Sequence, residues 1–373
     1  MNYIKQLDSL RAIAVILVII GHWIPKYNVV HRILNGAIGV DIFFVLSGFL
    51  ISKILFDNRN KAELLNIPKS TVIKNFYVRR TLRIFPIYYL TIFILYIFSD
   101  RTGTDIKSSF IYFVSYTSNF YFFNLQHWDG MLSHLWSLAV EEQFYLIWPW
   151  IILFVNKKYL LPVISTFVVI GILSQFVLSD VYMNDILTFT CFDAFGLGAL
   201  LSWITTYANQ KLKKFYVIIS IVAAISVFFY IIGAIQNMWT FIPLRTIVSF
   251  ITIWVITYII INRETNSLRF KFILNNRMLI FLGKISYGLY LYHLIIPYVL
   301  NSKMLSIYNN PLLPDIFYKR YWQHLFLLEN IIVLIIVSWL SYIFIEKPFL
   351  SLKKYFGYPN ESMYNNPLLK AGT

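Results

Sequence analysis

Residues 8–23 read Asp-Ser-Leu-Arg-Ala-Ile-Ala-Val-Ile-Leu-Val-Ile-Ile-Gly-His-Trp, an apolar run that suits a membrane-spanning helix yet carries Asp8, Arg11 and His22. An ionisable residue inside a span is costly, so function is its default reading. Arg11 and His22 are 11 residues apart, which on an α-helix is about 16 Å of rise and close to a whole number of turns. One face of this helix therefore holds a guanidinium near one membrane surface and an imidazole towards the other.

The rest of the chain agrees. Of its 373 residues 58% are hydrophobic, 19% aromatic and only 13% charged, with a mean hydropathy of +0.65. That is too apolar for a soluble globular protein and describes a polytopic membrane protein. The formal charge of +15 does not imply nucleic acid, because the basic residues are accounted for by topology. The single Cys191 rules out an intramolecular disulfide and a cysteine metal site, and in its apolar run it is expected to pack. The N-terminal run contains His22 and lacks a small-residue cleavage site before Pro25, so it is expected to stay as the first span.

A helical span needs about 20 mainly apolar residues. That ruler gives about ten, near 8–25, 37–56, 82–98, 138–155, 160–178, 188–206, 215–233, 243–261, 280–300 and 326–346. The aromatic run 110–123 is shorter and suits an interfacial or re-entrant helix. Lys and Arg outside the spans divide 20 to 7 between alternating sides, which predicts cytoplasmic termini. The expected fold is thus an all-α membrane helix bundle, one membrane domain over 1–348 with a short cytoplasmic tail over 349–373.

Topology assigns depths. The cations Arg11, Arg79, Arg80, Arg83 and Lys284 fall near the cytoplasmic side, and His22, Asp41, Glu141, Glu142 and His293 near the outer side. Arg80 and Arg83, at i and i+3, share a helix face. Arg79 is better read as a membrane-flanking anchor, whereas Arg83 is followed into the span by Ile84, Phe85 and Pro86. Adjacent Glu141 and Glu142 are about 100° apart on a helix, so one of them is expected to point inward. His293 reads equally as a functional group or as a histidine bonded to a tyrosine hydroxyl, and Tyr287 and Tyr290 as packing. Asp8 suits an N-cap or an i, i+3 partner for Arg11. His31, His127 and His324 lie in loops and carry no case for function, and no histidine or carboxylate spacing suggests a metal.

With these residues in place the chain resembles acyltransferase family 3, the ten-span membrane proteins that transfer acyl groups to cell-surface carbohydrates. The matching pieces run in family order: Leu7-Asp8-Ser9-Leu10-Arg11-Ala12 with Gly21-His22, Gly39-Val40-Asp41 through Ser47-Gly48-Phe49, and Arg79-Arg80-Thr81-Leu82-Arg83-Ile84-Phe85-Pro86. They continue with Leu135-Trp136-Ser137 through Glu141-Glu142-Gln143-Phe144-Tyr145, Ile285-Ser286-Tyr287-Gly288 through Tyr292-His293, and Ile345-Glu346-Lys347-Pro348. The resemblance implies a cytoplasmic acyl-CoA donor, with acetyl-CoA the expected co-substrate, and catalysis by His22. Its Arg-x-x-Arg pattern falls on Arg80 and Arg83, its first-span arginine on Arg11, its second-span aspartate on Asp41 and its glutamate on Glu141 or Glu142. It also implies a carbohydrate acceptor, lipid-linked or at the surface, such as O-antigen or exopolysaccharide. Many relatives carry an appended hydrolase-like domain, which is not expected for this sequence.

Chemistry gives the same picture from the residues. The polyanionic end of the donor would dock on Arg80, Arg83 and Arg11, with Arg79 and Lys284 as further cations of that layer. The thioester would point along the first span to His22, acting as general base or as nucleophile, with Asp41 orienting its ring. Ser137, Tyr287 and His293 are acceptor-side or structural candidates. The rival reading is a transporter or flippase, which predicts substrate flux without thioester turnover.

Overall fold

The protein was described from a computed structural model covering residues 3–24, 36–236, 243–262, 271–300 and 315–358, apart from the side chains of residues 271 and 315–324. Lys26, His31, Arg32, Arg263, Arg269, Lys303 and Lys370 lie outside these residues, as do the side chains of Lys271, Lys319, Arg320 and His324.

All regular structure among the described residues is helical. The main helices are Lys5–Trp23 (α1), Gly36–Leu64 (α2), Lys69–Ile97 (α3), Ile106–Val114 (α4), Ser118–Leu125 (α5), Leu135–Phe154 (α6) and Lys157–Val177 (α7). Then come Phe192–Tyr207 (α8), Leu212–Gln236 (α9), Leu244–Ile261 (α10), Arg277–Lys284 (α11), Ser286–Tyr292 (α12) and Asp315–Ser341 (α13). Eight helical segments are long and apolar enough to cross a membrane among the described residues, against the ten expected. The other two expected positions show why they differ. Helix α6 fills the fourth but carries Glu141, Glu142 and Gln143 along its course. The ninth is broken into α11 and α12 at Ile285 and ends its second piece at Tyr292. The aromatic run 110–123 forms parts of α4 and α5, helices of 9 and 8 residues that are too short to span.

Small residues let the central helices approach closely. A Cβ on Gly48 of α2 would lie 2.2 Å from the Phe195 carbonyl oxygen, and one on Gly198 of α8 would lie 2.2 Å from that of Val45. Helix α11 crosses α1 as tightly: a Cβ on Gly283 would sit 1.9 Å from the Asp8 carbonyl oxygen. Helices α1 and α2 lie side by side at the centre, where a Cβ on Gly39 would sit 2.3 Å from the Ala14 carbonyl oxygen, with α6, α8 and α10 packed on α2.

Two polar devices shape the region near α6. Gln143 donates to the Tyr116 carbonyl (2.7 Å) and to Asn119 Oδ1 (2.9 Å), and accepts from the Thr188 hydroxyl. It thereby ties the α4–α5 pair to α6 and holds Tyr116 at φ +54°, stacked on Tyr88 at 4.4 Å. After α13 the chain makes a π-helical turn over Tyr342–Glu346. Pro348, two residues beyond, has no N–H to return to the carbonyl four residues back, which accounts for the wider turn. Glu346 is left buried at 4% exposure.

Candidate functional site

Helices α1, α2, α3, α6 and α12 enclose a cavity of about 210 Å³. Its polar lining is Arg11 from α1, Ser47 from α2, Arg80 and Arg83 from α3, Ser137, Glu141, Glu142 and Tyr145 from α6, and Ser286, Tyr287 and Tyr290 from α12. A second chamber of about 500 Å³ adjoins it and shares Arg11, Leu50, Ile54 and Arg83, adding Asp8, Lys284, Tyr342 and Glu346. The two form an inlet and an inner chamber with guanidinium groups where they meet.

The cations are not equivalent. Arg11 pairs with Asp8 at 2.6 Å, as the i, i+3 spacing suggests, and Asp8 also accepts from the Tyr3 hydroxyl. Asp8 is thus the partner of Arg11 and not an N-cap, a position held by Ile4. Arg80 lies over the rings of Phe76 (5.8 Å) and Tyr145 (5.2 Å). Among the described residues neither Arg80 nor Arg83 forms an ion pair or hydrogen bond. Two guanidinium groups that make no close ion pair with the glutamates of the same chamber are able to receive a further anion. Arg79, one residue and about 100° away, faces elsewhere: it donates to the carbonyls of Lys353 (2.8 Å) and Phe356 (3.2 Å) and lies over Tyr358. It pins the C-terminal segment and does not line the chamber, which corrects its grouping with the donor-binding cations. Lys284 is exposed on the wall of the inlet.

Both glutamates line the chamber, contrary to the expectation that one would point inward. Glu141 accepts from Ser47, whose hydroxyl oxygen in turn accepts from Tyr145 (2.9 Å). Glu142 has one buried carboxylate oxygen, Oε1, with no hydrogen-bond partner. The chamber curves around α6 and so receives neighbours that diverge by about 100°. Their depth is corrected as well: they sit among the arginines, because 7 residues from His134 to Glu141 carry α6 about 10 Å further along its axis.

Beyond the inner chamber stand three histidines. Tyr290 forms the wall between: its hydroxyl bonds Ser137 and donates to the His134 carbonyl (3.1 Å), while its own carbonyl accepts from His293 Nδ1 (2.6 Å). His293 Nε2 lies 3.3 Å from His22 Nδ1, and the His293 ring sits 4.9 Å from those of both His22 and His134. His22 is exposed at the end of α1, and its Nδ1 donates to the Val18 carbonyl (2.8 Å). A carbonyl only accepts, so in neutral His22 the hydrogen is on Nδ1 and the lone pair on Nε2. Nε2 is therefore the nitrogen able to take a proton or an acyl group. Sequence reasoning passed over His134, which begins α6 at the depth of His293.

Asp41 is not the carboxylate that orients His22. It is bound by Arg245 Nε at 2.9 Å, and the same guanidinium donates to the carbonyls of Thr190 (2.9 Å) and Asp185 (2.6 Å). Both members are buried, with side-chain exposures of 8% and 4%. Removing one member of such a pair leaves an uncompensated charge and costs about 3–5 kcal/mol. Asp41→Asn is expected to lower the amount of folded protein in the membrane, with turnover per folded molecule held within about threefold; Arg245→Leu should lower it at least as far, since it also strips the Thr190 and Asp185 carbonyls of their donor. Size-exclusion profiles of a fluorescent fusion, with activity normalised to the folded peak, check this. Tyr287, Ser137 and Ser286 complete the chamber wall, the Tyr287 hydroxyl donating to the Ile84 carbonyl at 3.2 Å.

The arrangement can hold an anion at the junction of two chambers and present a neutral imidazole beyond one tyrosine. Residues 4–346 match the family Acyl_transf_3, described as an acyltransferase domain. The O-acetyltransferase OatA of Staphylococcus aureus (strain NCTC 8325 / PS 47) is 31% identical over 330 residues, covering 81% of this chain and 52% of that protein. The peptidoglycan O-acetyltransferase OatA of Listeria monocytogenes is 38% identical over 187 residues, covering 46% of this chain and 28% of that one. The chain thus spans about half the length of the Staphylococcus relative. No solved structure matches.

Proposed function

Because the chain belongs to the Acyl_transf_3 family of acyltransferase domains, we propose that it is a membrane O-acyltransferase, moving an acetyl group from acetyl-CoA on the cytoplasmic side to a carbohydrate hydroxyl outside. The observation that carries this reading is the pair Arg80 and Arg83, which line a chamber that opens into an inlet and, among the described residues, make no close ion pair or hydrogen bond. A donor with phosphate groups supplies the missing charge, and bidentate guanidinium contacts suit phosphate. Lys284 on the inlet wall adds a further cation to the path.

In this reading the thioester lies in the inner chamber, directed past Tyr290 to His22. The acceptor oxygen attacks the thioester carbonyl carbon and the C–S bond breaks. His22 Nε2 takes the hydroxyl proton and passes it to the departing thiolate. Alternatively, Nε2 attacks the thioester carbonyl carbon and the C–S bond breaks with the thiolate leaving; the acceptor oxygen then takes the acetyl group from Nε2, and the hydroxyl proton goes to the thiolate. Both routes need the lone pair that the Val18 contact leaves on Nε2. The 20-to-7 distribution of basic residues supports cytoplasmic termini in this reading, which puts the protein in the cytoplasmic membrane. The acceptor in this proposal is an extracytoplasmic polysaccharide, lipid-linked or already at the surface; a relative named for peptidoglycan adds the cell-wall glycan to the candidates.

Mass spectrometry of lipid-linked, surface and cell-wall glycans from cells with and without the gene tests this directly. A difference of one acetyl group per repeat is expected in one of these fractions. Identical glycans in all fractions, together with no acetyl-CoA consumption by membranes containing the protein, would overturn the proposal.

A further inference from the structure

We infer that His293 is a positioning residue for His22. The inference rests on the reading of His22 as the reacting base or nucleophile. His293 is fully buried at 0% exposure and gives its Nδ1 hydrogen to the Tyr290 carbonyl. Its neutral ring consequently carries the lone pair on Nε2, and Nε2 is the atom 3.3 Å from His22 Nδ1. The His22 Nδ1 hydrogen is thus shared between the Val18 carbonyl on its own helix and an imidazole from α12. Two acceptors on one side fix both the tautomer and the tilt of the ring.

Two further contacts hold His293 in register. His134 donates from Nε2 to the Leu291 carbonyl at 3.0 Å and presents its ring to His293 at 74°. Trp23, next to His22, donates from Nε1 to the His293 backbone carbonyl at 2.8 Å. The end of α1, the start of α6 and the whole of α12 are thereby fastened at one point. Through Tyr290, whose hydroxyl faces the inner chamber, that point is also continuous with the chamber wall.

The test reads the orientation of His22 apart from acyl transfer. Full-length protein in native membranes is treated with diethyl pyrocarbonate, which acylates neutral imidazole nitrogen, and the labelling rate at His22 is followed by peptide mass spectrometry. Acetyl transfer is assayed in the same membranes. His293→Gln can keep both a donor for Tyr290 and an acceptor for His22; His293→Leu keeps neither, and His293→Asn is polar but too short to reach. Misplacement of a reacting group by about 1 Å can cost a hundredfold, so the Leu and Asn variants should turn over at least tenfold more slowly with donor KM unchanged, and should label His22 more slowly because Nε2 loses the electron density that donation from Nδ1 to His293 supplies. The Gln variant should stay within about threefold of wild type in both readouts. Should the Leu variant not accumulate, the Gln-to-Asn comparison decides. Equal labelling rates in all variants, or Gln as damaging as Asn, would overturn the inference. Labelling that follows the predicted order in membranes that transfer no acetyl group would support the arrangement and sink the reading of the protein as a transferase.

Discussion

Replacement of His22 by alanine should leave protein of normal abundance and helicity whose acetyl transfer falls by roughly 10²–10⁴-fold, the usual contribution of a positioned proton-transfer group. The effect is expected in turnover and not in donor KM, because His22 does not line the inner chamber, where the proposed donor's charged groups would be held. The fold should tolerate the change: His22 is exposed at the last turn of α1. The informative measurement is acetyl-CoA consumption in inverted membrane vesicles, normalised to inserted protein. Activity within a few-fold of wild type would remove His22 from the chemistry and leave the chamber as a binding site serving another group.

The second large effect belongs to the arginines. A hydrogen bond to a charged group contributes about 1.5–3 kcal/mol, and each 1.4 kcal/mol is a factor of ten. Arg80→Gln and Arg83→Gln are each expected to raise donor KM by about ten- to hundredfold, and the double variant by more. Because neither guanidinium makes a close ion pair or hydrogen bond among the described residues, these changes break no direct contact and should harm folding less than they harm donor binding. Arg79→Gln supplies the contrast: it releases the Lys353 and Phe356 carbonyls and should affect stability while donor KM stays within about twofold. Lysine at position 80 or 83 should recover only part of the loss, since it replaces a planar fork with a point charge. Wild-type donor affinity in the double glutamine variant would show that the anion binds elsewhere.

Much of this site was legible before any coordinates. The i, i+3 spacing of Arg80 and Arg83 predicted a shared face, and both line the chamber. Arg11 and Asp8 pair as their spacing implied. Helical character, membrane residence and the short aromatic segment between the spans could be read from apolar run lengths alone. What escaped was tertiary. Asp41 was matched to His22 by depth, yet Arg245, 204 residues on, lies at the same depth and claims it. A stricter use of the same argument, asking which anion serves an arginine two residues into a span, would have found the pair. The two glutamates were separated by helix geometry, a sound rule that fails where a cavity wraps around the helix. The break at Ile285 has no strong local mark; it follows from the crossing at Gly283, which is a property of two helices and not of one.

The partition into two chambers with a common neck has a consequence for traffic. Arg11, Arg83, Leu50 and Ile54 belong to both rooms, and in the proposed reaction the phosphates that Arg11, Arg80 and Arg83 attract sit on the part of the carrier that chemistry leaves untouched. Spent carrier is therefore gripped as firmly as fresh, and must back out through the doorway its successor needs. The pace of acetylation would then be governed by the ratio of loaded to empty carrier in the cytosol, making the surface glycan a running record of the cell's acetyl supply.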